Sequence, residues 1–199
     1  NNSVPMSLWQ NPVLPNMRLN QKQAEIKWNY IPNIQLPKDL NDLAYYNLLQ
    51  LSSLLRNKKI SSVQLTRFFI DRLKKYGDSL QCVISLTESI AMQQAEQADA
   101  EIAAGKIRGP LHGIPLALKD LYYVNGVKNT SGSKIFDDFV PGYDATLVTR
   151  LKQAGTILLG KTNLHEFAYG VSNVNPHYGP ARNPWDTERM TGGSSGGSA

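Results

Sequence analysis

The sequence predicts an α/β fold, and three observations carry that prediction. Segments with apolar residues at helical spacing alternate with short apolar runs of strand length. Glycines stand at the ends of several of these segments, where a left-handed turn closes a helix. A chain of 199 residues with 41% hydrophobic content can bury the core of one medium-sized domain.

Taken in order, residues 1–38 read as a proline- and asparagine-rich arm, because Pro5, Pro12, Pro15, Pro32 and Pro37 interrupt any helix. Trp9, Trp28 and Tyr30 suggest that the arm docks on another surface. Residues 39–199 form the main body. From Asp39 to about Arg56, Leu43, Tyr46, Leu48, Leu49, Leu51, Leu54 and Leu55 recur at helical spacing. Ser61 with Gln64 is a capping-box signature, opening a helix through Phe68, Phe69 and Leu73 that Gly77 is expected to stop. QCVISL then reads as a buried strand. Thr87 is the expected cap of a third helix, ESIAMQQAEQADAEIAA, ending before Gly105. IPLALKD reads as a short strand that ends in charge. ATLVTRLKQA is a helix stopped by Gly155, and TILLG is a strand bounded by glycines.

Composition narrows the function classes. No stretch approaches the roughly 20 apolar residues of a membrane-spanning helix, so no membrane span is expected. The chain begins with Asn1, which fits either removal of a targeting segment or trimming, and leaves the compartment open. Cys82 is the lone cysteine, excludes an internal disulfide, and reads as a small core residue. His112, His165 and His177 lack metal-ligand spacing, so neither a metal nor another cofactor is expected. The net charge of +5 does not form a stripe interleaved with aromatics. Arg56, Lys58 and Lys59 end one predicted helix, and Arg72, Lys74 and Lys75 end the next, where cations complement the helix dipole. No nucleic acid is expected as a partner.

Two glycine-rich motifs remain. GTILLGKT, from Gly155 through Gly160, Lys161 and Thr162, matches the phosphate-loop pattern in its letters. Its context is wrong: a helix precedes the first glycine, and Ile157, Leu158 and Leu159 stand where backbone would have to approach an anion. The second motif, TGGSSGGSA over residues 191–199, taken alone fits a flexible linker, an anion-binding turn, or a backbone shaped to present a hydroxyl. Lys119, at the end of a predicted strand upstream, adds the general base that serine–lysine hydrolases use. Its structural alternative is a surface lysine paired with Asp120.

GPLHGIPLALKD (Gly109 to Asp120), DATLVTRLKQAGTILLGKTNLHEFA (Asp144 to Ala168), and RNPWD through GGSSGGSA (Arg182 to Ala199) together resemble the amidase signature family, in order and in spacing. The resemblance implies a mixed β-sheet surrounded by helices, incomplete in this chain. It also implies a lysine that activates a serine preceded by a cis peptide bond, which relays a proton from a second, nucleophilic serine. Matched by position, the catalytic residues are Lys119 and Ser194, 75 residues apart. Ser195 matches the supporting hydroxyl, and Ala168 the substrate-binding position whose carbonyl faces the pocket. The nucleophile lies beyond Ala199 in that family, so the rest of the protein or a second chain must supply it. The implied activity is hydrolysis of a small amide through an acyl-enzyme, releasing ammonia or an amine. The alternatives are the amidase component of a tRNA-dependent amidotransferase and a non-catalytic binding or assembly fragment.

Overall fold

A computed structural model describes residues 16–18 and 26–199; Trp9 lies outside the described residues. Of the aromatics expected to dock the arm, Tyr30 lies under the Arg56 guanidinium at 3.9 Å, while Trp28 is exposed. The Ile31 N–H donates to Ser53 Oγ at 2.9 Å, and Ile34 is buried with Leu43, Leu51, Leu54, Leu55 and Leu65.

The predicted helix from Asp39 to Arg56 is broken in two. A 3₁₀ segment, Leu40–Tyr45, precedes helix α1, Leu48–Arg56. The break is a second capping box: Asn47 Oδ1 accepts from the Gln50 N–H while Gln50 Oε1 accepts from the Asn47 N–H. Helix α2, Ser62–Leu80, opens on the Ser61–Gln64 box and then runs past Gly77. Gly77 is buried inside the helix, where a Cβ would make only ordinary contact with Val83 Cγ2 at 3.5 Å, and it does not terminate α2. Gln81, with φ 49°, makes the left-handed turn that ends α2.

Strand β1, Val83–Leu86, leads to helix α3, Glu88–Ala103. Thr87 makes no side-chain cap; its hydroxyl instead donates to the Leu158 carbonyl at 2.7 Å, tying the helix start to the neighbouring strand. Strand β2, Pro115–Lys119, helix α4, Thr146–Gln153, and strand β3, Ile157–Thr162, follow. β3 lies at the centre of a mixed sheet, antiparallel to β1 and parallel to β2.

Every residue of β3 is buried, as a central strand covered on both faces requires. Ile157 and Leu159 pack with Ile70, Ala91, Ala95 and Ala98 of α2 and α3. Leu158 points the other way, against Leu118, Val124, Val127 and Val148. The strand does not end at Gly160 but passes through it, because a Cβ there would sit 2.3 Å from the Ser85 carbonyl oxygen. A hairpin of β4, Arg182–Asn183, and β5, Asp186–Met190, leads into the serine-rich end of the chain.

Candidate active site

Parallel pairing of β2 with β3 brings Lys119 and Thr162 to the same end of the sheet, and the chain turns inward at the next residue. Asp120 and Lys161 are both fully buried, with Lys161 Nζ 2.9 Å from Asp120 Oδ1. Lys161 Nζ also donates to the Tyr122 carbonyl at 2.9 Å and to Asn129 Oδ1 at 2.8 Å, so its three donors are used. Asp120 Oδ2 accepts from the Thr130 N–H and hydroxyl. This network fixes the connection after β2. The phosphate-loop lookalike is thus the central strand, its amides in the ladder and its lysine paired inside. The Asp120 carboxylate belongs to Lys161, which leaves Lys119 free of it.

Lys119 is half-buried, and burial pushes its ammonium pKa down from the ordinary lysine value. Its Nζ donates to Ser194 Oγ at 2.6 Å. Ser194 follows Gly192 and Gly193, and the Gly193–Ser194 peptide bond is cis. The Ser194 carbonyl accepts from the His165 N–H at 3.0 Å. Further along, the Gly196 N–H donates to Asn173 Oδ1 and the Gly197 N–H to the Asn163 carbonyl, both at 3.0 Å. Gly197 lies so close to β1 that a Cβ would be 2.3 Å from the Cys82 carbonyl oxygen. Ser198 Oγ meets Thr162 Oγ1 at 2.9 Å. Hence the glycines do not make a flexible linker; they let the loop seat against the sheet end.

The remaining predicted site residues are placed less tightly. Ser195 is exposed, and among the described residues its hydroxyl makes no hydrogen bond to Lys119. Ala168, half-buried with φ 57°, follows Phe167 with φ 52° in a tight turn. That turn is held at both ends, by the Phe167 N–H on the Ser131 carbonyl and the Ala168 N–H on the His165 carbonyl, each at 2.8 Å. The same His165 binds Ser194, which brings the Ala168 turn beside the serine loop.

Sequence reasoning misses the three asparagines that build this end of the molecule. Asn163 Nδ2 donates to the Gln81 and Gly179 carbonyls, and Asn175 Nδ2 to those of Gly132 and Leu164. Asn173 holds Gly196. Their signal is the polar run after an apolar strand, which on its own reads as a loop. Cys82 is half-buried and lines a cavity of about 440 Å³ with Phe69, Leu73 and Leu80, and burial pushes its thiol pKa up. Among the described residues no three His, Cys, Asp or Glu side chains gather as metal ligands, and no helix is long and apolar enough to cross a membrane.

Residues 64–199 match the Amidase family. The chain belongs to this family. Curated relatives include a glutamyl-tRNA(Gln) amidotransferase subunit of Coxiella burnetii, 50% identical over 152 residues, covering 76% of this chain and 31% of the relative. The counterpart of the same name from Aromatoleum aromaticum is 52% identical over 153 residues, covering 77% and 31%. Among solved structures, the peptide amidase of Stenotrophomonas maltophilia is similar with a TM-score of 0.73 and 36% identity, over 78% of this chain and 33% of that one. The chain therefore spans about a third of the length of the relatives it matches. The mixed sheet and surrounding helices are the fold of these amidase family members, present here in part.

Proposed function

We propose that this chain carries the lysine–serine relay of an amide hydrolase. The observation that carries the reading is the 2.6 Å approach of Lys119 Nζ to Ser194 Oγ, in a loop braced on every side by backbone hydrogen bonds. A lysine works as a base only when neutral, and partial burial favours that form. The Ser194 hydroxyl can give its proton to Lys119 while accepting one from a nucleophilic hydroxyl, which residues outside these 199 supply. The nucleophile attacks the amide carbon and the proton returns to the leaving nitrogen as the C–N bond breaks. Ammonia or an amine departs, and water then releases the acid from the acyl-enzyme. The Ala168 carbonyl lines the substrate pocket, while the exposed Ser195, whose hydroxyl makes no bond to Lys119 among the described residues, takes no supporting role in this arrangement.

The test uses the protein with its remaining length. Lys119→Ala and Ser194→Ala should each lower kcat by roughly 10²–10⁴-fold, the contribution of general acid–base catalysis. The double variant should be little worse, because the two groups act as one unit. Full activity in a folded Lys119→Ala protein would overturn the reading.

A second reading is favoured by the identities: the two amidotransferase relatives match at 50% and 52%, the peptide amidase at 36%. In that case the protein works inside an assembly. Purification from the natural source separates the two. A free-standing amidase is isolated as one polypeptide and hydrolyses simple aliphatic or aromatic amides. An assembly component is isolated with other polypeptides in fixed ratio and needs them for activity.

A further inference from the structure

Asn173 has no exposed surface, has a left-handed φ of 56°, and touches the serine loop on both sides of Ser194. Its backbone N lies 2.8 Å from where a Cβ on Gly193 would stand, and its Oδ1 accepts from the Gly196 N–H. That backbone donor fixes which way the amide faces. With Oδ1 so placed, the Asn173 Nδ2 is buried without an acceptor among the described residues. An unpaired buried N–H is destabilising, and in a native protein it asks for a reason.

The reason is found by comparing the alternatives. Aspartate would accept the same Gly196 N–H, leave no orphan donor, and suit the start of the short 3₁₀ turn Gly196–Ser198. It would also put a carboxylate against the loop that carries Ser194, where an anion stabilises the ammonium form of Lys119 and blocks its work as a base. We propose that Asn173 is a positioning residue that fastens the serine loop through an acceptor carrying no charge, the unpaired Nδ2 being the consequence of that neutrality. The inference rests on the lysine–serine relay proposed above.

Other titratable groups around the loop do not supply the anion that asparagine avoids. Asp120 is neutralised by Lys161. Glu166 is held by His177 at 3.0 Å. His165 holds Ser194 through its backbone, and Cys82, a thiol with a raised pKa, meets Gly197 through its carbonyl.

The experiment is a titration of Lys119 in protein labelled with ¹³C-lysine, the signal being assigned by its loss in Lys119→Ala. Asn173→Asp should raise the Lys119 midpoint by about one pH unit, the size of a charge interaction across one loop. Asn173→Ala, which removes the acceptor and adds no charge, should produce no such rise. If Asn173→Asp does not fold, Thr191→Asp carries the same prediction, since Thr191 Oγ1 and Asn173 Cγ both crowd the point where a Cβ on Gly196 would stand. An unshifted midpoint in the folded aspartate variant, or an equal rise in Asn173→Ala, overturns the inference. Because the readout is a titration, a protein that hydrolyses no amide refutes the relay reading alone, whereas a lysine indifferent to charge at this position refutes only the role of Asn173.

Discussion

Two lysines near the end of this sheet have opposite fates, and burial with pairing decides which is which. Lys161 is fully enclosed with its carboxylate partner and uses all three donors. Burial pushes the pKa of both amines down, but among the described residues Lys119 meets a hydroxyl and no carboxylate that would hold its charge. Removing one member of a buried pair leaves an uncompensated charge, so Lys161→Met should destabilise the protein by about 3–5 kcal/mol. The double variant with Asp120→Asn should recover a good part of that loss in urea unfolding, and failure to recover would show that the network acts through its neutral members. In the sequence, Lys161 stands out for the wrong reason: its letters imitate a phosphate loop, whereas its position in a buried strand implies an internal partner. That partner is remote in the chain, and no local pattern points to Asp120.

At the scale of elements, α3 is joined to the start of β2 and β3 by one polar cluster. Glu101 receives the Arg108 guanidinium and Gln97 Nε2, and lies 3.1 Å from His112 Nε2. The Arg108 N–H donates to His112 Nδ1. The imidazole fills the space beside Gly155, where a Cβ would be 2.4 Å from the ring. The hydrogen bond from Arg108 draws the Glu101 pKa from 4.5 to about 2. A carboxyl whose pKa is lower in the folded state stabilises fully above its unfolded value, and that contribution fades as pH falls towards the folded value. The urea midpoint should therefore drop between pH 4.5 and pH 2, and Glu101→Gln should start lower at neutral pH and lose less across that window. An unchanged acid limb in the variant would remove Glu101 from the account.

The elements themselves are largely legible in the sequence, because the helix and strand periods of burial are local. Their boundaries are not. The expected stop at Gly77 fails since the helix continues through it to Leu80 and the left-handed turn falls at Gln81. The unbroken first helix fails since the Asn47–Gln50 box lies inside an apolar pattern that continues on both sides. Thr87 takes a strand carbonyl in place of a helix N–H, a tertiary choice that propensity does not contain.

Across the whole molecule, several large apolar side chains stand at the surface, and Val171 lies beside Gly192 of the serine loop. Tyr169 is 90% exposed, Val171 83% and Trp185 94%. Exposed apolar side chains of this size offer surface that further chain can cover, in keeping with a chain a third the length of its relatives. Residues 1–199 expressed alone should bind the dye anilinonaphthalene sulfonate more strongly than the longer protein and should hydrolyse no amide. Amide hydrolysis by the purified piece would mean that the nucleophile lies within these residues.

The contact between Lys119 and Ser194 spans 75 residues. Closing a loop of that length costs about 4 kcal/mol in its length-dependent part, and nothing nearby in sequence repays it. The two side chains meet only while β3, the asparagine-braced turns and the terminal hairpin are all ordered between them. The Lys119–Ser194 contact is therefore a report on the integrity of nearly half the described chain, and on gentle heating it should vanish while α1, α2 and their shared apolar cluster still stand.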